Sequence, residues 1–183
     1  MFCYPASDNA VCVVVDIQAK LLPAMNDSEL VLNRAQMLVK GMNELGVPVV
    51  VTEQYPQGLG NTVPELSELF AENTQVIAKT SFSCFGEEAF AKAMDIEKRP
   101  VMIICGIESH VCVAQTALDA LNAGYKVFIA ADAVNSRKSS DLDTALSQLR
   151  HAGCTVASAE AILFMLLKSA KHPAFKAISK LVR

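Results

Sequence analysis

A chain of 183 residues is long enough to enclose a full core, and a single domain over residues 1–183 is the expected organisation. Hydrophobic residues make up 52% of it but fall in short blocks, none of membrane-spanning length, which argues against a transmembrane helix. A net charge of −3 with no basic patch argues against a nucleic-acid partner, and the opening MFCYPASDN has neither a basic start nor an apolar signal core, so a cytoplasmic location is expected.

Residues 10–15, AVCVVV, read as a buried strand running straight into Asp16. Residues 28–45 read as a helix, with Val31, Ala35, Leu38, Met42 and Leu45 on one face and Gly46 as its stop. VPVVVT, residues 47–52, is a second strand, whose Pro48 fits only near its start. A loop-rich stretch follows, with a short helix over 64–70, then a third strand, 74–79, ending at Lys79. A short helix over 86–95 precedes VMIIC, residues 101–105, a fourth strand that Gly106 breaks. Ser109 is placed to cap the next helix, which carries Val113, Ala117, Ala120 and Leu121 on one face and stops at Gly124. A fifth strand spans 125–131, a helix 141–152, a sixth strand 154–158 and a last long helix 159–169, with a further turn or two in 172–183.

Strands alternating with helices imply a parallel sheet covered on both faces. The expected fold is α/β and doubly wound, a Rossmann-like six-stranded sheet in the order 3-2-1-4-5-6, whose ligands bind beyond the C-terminal strand ends at the switch between strands one and four. Asp16 follows strand one, Lys79 strand three, and Cys112 lies in the helical turn after strand four. That topology gathers a carboxylate, an amine and a thiol at one rim. Each has a plainer reading. Asp16 can be a turn or cap residue, Lys79 a solvated strand end, and Cys112 a core cysteine. As a nucleophile, Cys112 would gain from the first turn of a helix, where the dipole favours a thiolate and eases loss of the proton.

The six cysteines, Cys3, Cys12, Cys84, Cys105, Cys112 and Cys154, have no C-x-x-C spacing and read as reduced thiols. Cys12, Cys105 and Cys154 fall in strands. Cys84 lies in a loop near the proposed site, where it would compete with Cys112 for an alkylating agent, and Cys3 near the terminus would react as an ordinary thiol. His110, two residues before Cys112, is on another side of the helix, so a Cys–His pair is disfavoured. His151 and His172 read as solvated helix-end residues. DIQAK after strand one lacks the glycine-rich turn of a dinucleotide site.

Asp16 in VVVDIQ, Lys79 in VIAKTSFSCF and Cys112 in CGIESHVCV resemble the triad of the isochorismatase-like cysteine hydrolases, which include nicotinamidases and related amidases. TEQYPQGLGNTVPEL, residues 52–66, and ADAVNSR, 131–137, resemble more narrowly the isochorismatase domain-containing proteins of the second type and their bacterial relatives. The resemblance implies the doubly wound fold and a hydrolysis of amide type. Cys112 would attack, Asp16 would shuttle the proton and Lys79 would stabilise the thiolate. It further implies an oxyanion hole from the backbone N–H groups of Glu108 and Cys112, and a cis peptide between Ile107 and Glu108. Gln18, Gln54, Tyr55 and Phe82 are candidate pocket residues by position. Nicotinamidases carry an Asp-x-His metal motif after strand two. Here Thr52, Glu53, Gln54 and Tyr55 stand there, so no metal and no cofactor are expected. The expected partners are a small-molecule substrate and further copies of the chain, and not a membrane. The alternative is a catalytically silent binding or scaffold protein on the same fold.

Overall fold

The structure, a computed structural model, describes residues 4–183 apart from the Ile96 side chain. Cys3 lies outside the described residues. Six strands form one parallel sheet: β1 (Ala10–Val15), β2 (Val49–Gln54), β3 (Gln75–Lys79), β4 (Val101–Ile107), β5 (Lys126–Asn135) and β6 (Thr155–Ala157). Their order is β3-β2-β1-β4-β5-β6, the doubly wound order expected from the sequence. The helices are α1 (Ser28–Leu45), α2 (Pro56–Leu59), α3 (Pro64–Ser67), α4 (Glu88–Glu97), α5 (Ala114–Asn122), α6 (Ser139–Ala152), α7 (Ala159–Leu167) and α8 (Phe175–Leu181).

Every residue of β1 is buried, because helices cover both faces of the sheet. Alternation still decides which face each side chain joins. Cys12 and Val14 pack with Ile103, Cys105 and Val51 under Leu38 and Met42 of α1 and Leu163 of α7. Val11, Val13 and Val15 pack with Met102 and Ile104 under Phe90 of α4, Ala117 of α5 and Leu149 of α6. Helix α1 begins on Asp27, whose side chain accepts the Leu30 N–H, and ends on Gly46 at φ 65°, as the spacing implies.

Several boundaries differ from the sequence reading. Strand β2 starts at Val49 because Pro48 has no N–H to give to a ladder, although its carbonyl still accepts from Cys12. Gly106 does not end β4. It sits inside the strand at φ 121°, opposite Val15 of β1, where a Cβ would collide with the Val15 backbone. The register between β4 and β5 shifts at this point, and β5 runs on to Asn135. Ser109 caps nothing: its buried hydroxyl has no hydrogen-bond partner. Residues Ser109–Val113 form one wide turn of π-helix, in which the Glu108 carbonyl accepts from Val111 (3.1 Å) and from Val113 (3.2 Å), and α5 starts only at Ala114. No helix among the described residues is long and apolar enough to cross a membrane.

Candidate active site

The site lies at the C-terminal ends of β1, β3 and β4, beside the switch in strand order. Asp16 follows β1 in the left-handed region, φ 54°, a conformation that Asp tolerates better than most residues. Its N–H donates to the Thr52 carbonyl (3.1 Å) and its own carbonyl accepts from Gln18 N–H (2.8 Å), so the chain turns sharply and the carboxylate stays buried. Lys79 comes from the edge strand. It must pass strand β2, across about 10 Å of sheet, to reach Asp16. Its four-carbon stem does so, and Lys79 Nζ lies 2.7 Å from Asp16 Oδ2 with neither side chain exposed.

The ammonium is oriented by other groups. Its three N–H bonds find three neutral acceptors: Gln54 Oε1, the Ser81 carbonyl (3.1 Å) and the Phe82 carbonyl (3.1 Å). Its contact with Asp16 Oδ2 adds the attraction of opposite charges at hydrogen-bond distance. Asp16 Oδ1 is occupied differently, accepting the Thr52 hydroxyl at 2.8 Å. One carboxylate oxygen thus meets a hydroxyl and the other an ammonium.

Cys112 stands in the π turn, 7% exposed, against Asp16 and Lys79. Its thiol is pushed up to about 12, first by burial and then by the Asp16 charge, with Lys79 only partly offsetting these. The direction is opposite to that expected of a thiol at a helix terminus. The wide turn is not a regular helix start, and the carboxylate is a close neighbour. Burial and the neighbouring carboxylate both favour the protonated thiol, so a base is of use to it. Cys84 is also not as expected. It is fully buried beneath the site, with its thiol raised to about 11 mainly by burial, and is out of reach of an alkylating agent. Cys12, Cys105 and Cys154 are buried too, and the Cys12 thiol is raised by its hydrogen bond with Cys105 and by burial.

The peptide bond between Ile107 and Glu108 is cis, which carries the chain from β4 into the π turn. The Glu108 carboxylate accepts from Arg137 Nε (3.0 Å) and Arg137 N–H (3.3 Å). Of the candidate pocket residues, Tyr55 and Phe82 are just over half exposed at the rim, at 54% and 55%. A cleft of about 150 Å³ runs between Tyr55, Gln57, Thr80 and Glu87 beside Lys79. Gln18 and Gln54 have other tasks. Gln18 is fully buried, donates to the Gln54 and Gly60 carbonyls and accepts from Gln54 N–H, tying the loop after β1 to β2. Gln54 binds Lys79 through Oε1 and the Thr80 carbonyl through Nε2. Both amides are spent within the protein, a task that position along the chain did not reveal.

His110 is engaged elsewhere, with Nδ1 2.9 Å from Ser136 Oγ and Nε2 4.0 Å from Asp141 Oδ2. His151 faces the Ser147 carbonyl and His172 accepts from Ala174 N–H, both on other parts of the surface. Among the described residues no group of three His, Cys, Asp or Glu side chains is disposed to hold a metal ion.

Residues 10–161 match the isochorismatase domain family. The chain is 40% identical over 177 residues to isochorismatase domain-containing protein 2 of Danio rerio, covering 97% of this chain and 88% of the relative. It is 38% identical over 174 residues to isochorismatase family protein 1A of Dictyostelium discoideum, covering 93% and 84%. Among solved structures it is similar to a MAR1 ribonuclease from Caenorhabditis elegans (TM-score 0.94, 36% identity, 98% of this chain and 92% of that one). It is also similar to YcaC from Pseudomonas aeruginosa, solved with hexane-2,5-diol and covalent acrylamide (TM-score 0.93, 26% identity, 99% and 92%).

Proposed function

The chain belongs to the isochorismatase domain family, whose fold is that of hydrolases, and on that premise we propose that it is a metal-independent cysteine hydrolase cleaving an amide-type C–N bond of a small molecule. The observation that carries this reading is the fully buried Asp16–Lys79 pair with a neutral thiol set against it. An ion pair with no exposed surface is a weak source of stability, since desolvation takes back most of what the attraction supplies. Beside a nucleophile it has a use.

In the first step the Cys112 S–H proton passes to Asp16 Oδ2, the oxygen that the Thr52 hydroxyl does not hold, as sulfur bonds to the substrate carbonyl carbon. The carbonyl π electrons move to oxygen, and that oxyanion is received by the backbone N–H groups of Glu108 and Cys112, worth about 3 kcal/mol each. The C–N bond then breaks, the nitrogen takes the proton from Asp16, and the amine or ammonia leaves a thioester on Cys112. Asp16, again a carboxylate, takes a proton from water as the water attacks. The tetrahedral species collapses, and the thiolate leaves and recovers the proton. The Lys79 ammonium also acts on the Cys112 thiol and favours the thiolate each time it forms. In this reading the exposed rings of Tyr55 and Phe82 serve as apolar walls for the acyl or amine part.

The ribonuclease name of the nematode relative is not carried over. A phosphodiester backbone is held by several cations. Here Lys79 and Arg137 are both paired with carboxylates. The reading includes self-association, supported by the 52% apolar composition and by Val76, 49% exposed on the edge strand β3. The test of function is amine or ammonia release from a panel of small amides after exhaustive chelation of the protein. Turnover that survives chelation and vanishes in Cys112→Ala is the expected result. Turnover that needs added zinc or manganese, or that persists in Cys112→Ala, would overturn it.

A further inference from the structure

Asp16 is connected inward as well as outward. An ionised carboxylate only accepts hydrogen bonds, so the Thr52 O–H is spent on Asp16 Oδ1 (2.8 Å). The Thr52 oxygen must then be the acceptor towards Cys84, whose thiol donates to it at 3.7 Å. Cys84 Sγ in turn accepts from the Thr116 hydroxyl at 3.2 Å, and the Thr116 oxygen accepts from Cys84 N–H at 3.0 Å. Thr52, Cys84 and Thr116 are fully buried, so no exposed group competes for these bonds.

The members come from three elements: β2, the short 3-10 turn Cys84–Gly86, and α5. That turn is pinned to α5 a second time, since the Ser83 hydroxyl donates to Asp119 Oδ2 at 2.6 Å. With Asp16 ionised, every bond in the chain runs one way, from Thr116 through Cys84 and Thr52 to Asp16. We propose that Thr116, Cys84 and Thr52 are positioning residues that form a one-way hydrogen-bond relay, holding Asp16 and setting the pH range in which it accepts the Cys112 proton. The relay rests on the reading of Asp16 as the proton acceptor. Bonds that all point one way polarise each other, so the last donor is stronger than an isolated hydroxyl. Donation to a carboxylate favours its charged form. The relay holds Oδ1 and leaves Oδ2, beside the Lys79 ammonium, to take the incoming proton. A thiol suits the middle place, because its long C–S bond and large sulfur reach both hydroxyls.

A buried cysteine is more often simply a packing residue. The two roles separate by what they move. Packing acts on stability alone. A relay member acts on the acid side of the reaction, and Cys84 acts only by way of Thr52. The titratable groups facing Asp16 are the Lys79 ammonium from β3 and the Cys112 thiol from the π turn, with the Cys84 thiol behind Thr52.

The experiment follows the rate of iodoacetamide labelling at Cys112, read by peptide mass in the full chain, as pH is lowered through the carboxylate range. Thr52→Val is expected to move the acid limb upward by about one pH unit. Thr52→Ser, which keeps the hydroxyl, is expected to restore it. Cys84→Ala should give a smaller shift of the same sign, and Thr52→Val combined with Cys84→Ala no more than Thr52→Val alone. A limb that neither variant moves, or shifts that add in the double variant, would overturn the relay. Should Thr52→Val fail to fold, the limb of Cys84→Ala decides by itself. Asp16→Asn is the separate control. If it labels at the native rate with the native acid limb, the assignment of Asp16 as proton acceptor falls. If it labels slowly while Thr52→Val leaves the limb unmoved, only the relay falls.

Discussion

Asp16 and Lys79 depend on one another for more than chemistry. Each is a full charge with no exposed side-chain surface, so removing one strands the other. Asp16→Asn is expected to cost about 3 kcal/mol of stability. It should also slow turnover on the order of a hundredfold, because the thiol, pushed up to about 12, has lost its base. Replacing both, as Asp16→Asn with Lys79→Met, should give a protein more stable than either single variant but still inactive. Denaturant melts and amide turnover check the pair. A double variant less stable than both singles would show that the ion pair is a structural asset and not a functional cost. Gln54→Ala is expected to slow turnover about tenfold without loss of fold, since it removes one of three neutral acceptors that orient the Lys79 ammonium. Unchanged kinetics in Gln54→Ala would mean that the two carbonyls suffice.

At the scale of elements, the approach of β4 to β1 rests on Gly106. At φ 121°, with a Cβ directed into the Val15 backbone, no other residue fits without separating the strands that deliver Asp16 and the π turn. Gly106→Ala is expected to destabilise the fold by more than about 3 kcal/mol, measured by denaturant unfolding. A loss under about 1 kcal/mol would mean that the sheet absorbs the side chain easily. Here the sequence was only half informative. The apolar runs and their spacing identify β1, β4 and α1, and the strand ends point to Asp16 and Cys112. Reading Gly106 as a stop was reasonable from composition, because the need for a bare Cα is set by a neighbouring strand far off in sequence. The same holds for Ser109, which matches a cap by type but begins a π turn. It also holds for Gln54 and Cys84, whose partners Lys79 and Thr116 lie 25 and 32 residues away. One-dimensional patterns report local preference and burial. They do not report which polar atoms meet.

Over the whole molecule, strand order was legible because alternating βα units leave few topologies, and a six-stranded doubly wound sheet places its ligands at the switch. Alkaline pH should expose one consequence of filling that sheet with thiols. Cys84 and Cys154 are raised to about 11 and Cys112 to about 12, all chiefly by burial. The native state therefore holds protons that the unfolded chain releases above its ordinary thiol range, near 8.5. Stability from these groups is complete below that range and is lost as pH rises towards about 11 to 12. Cys154→Ala should flatten the alkaline fall in thermal stability, and an unaltered slope would show that Cys154 contributes nothing to it. Self-association is checked by sedimentation, with a species larger than 19.7 kDa expected and a monomer at all concentrations counting against it.

The central claim is that Cys112, relieved of its proton by Asp16, carries the acyl group. Its most direct test is mass trapping: the protein is mixed with a pooled library of small amides, quenched in acid and mapped by peptide mass. The expected result is an acyl mass on the Cys112 peptide alone, absent in Cys112→Ala and sharply reduced in Asp16→Asn. Amide turnover with no adduct on Cys112, or an adduct that forms equally well in Asp16→Asn, would contradict the account.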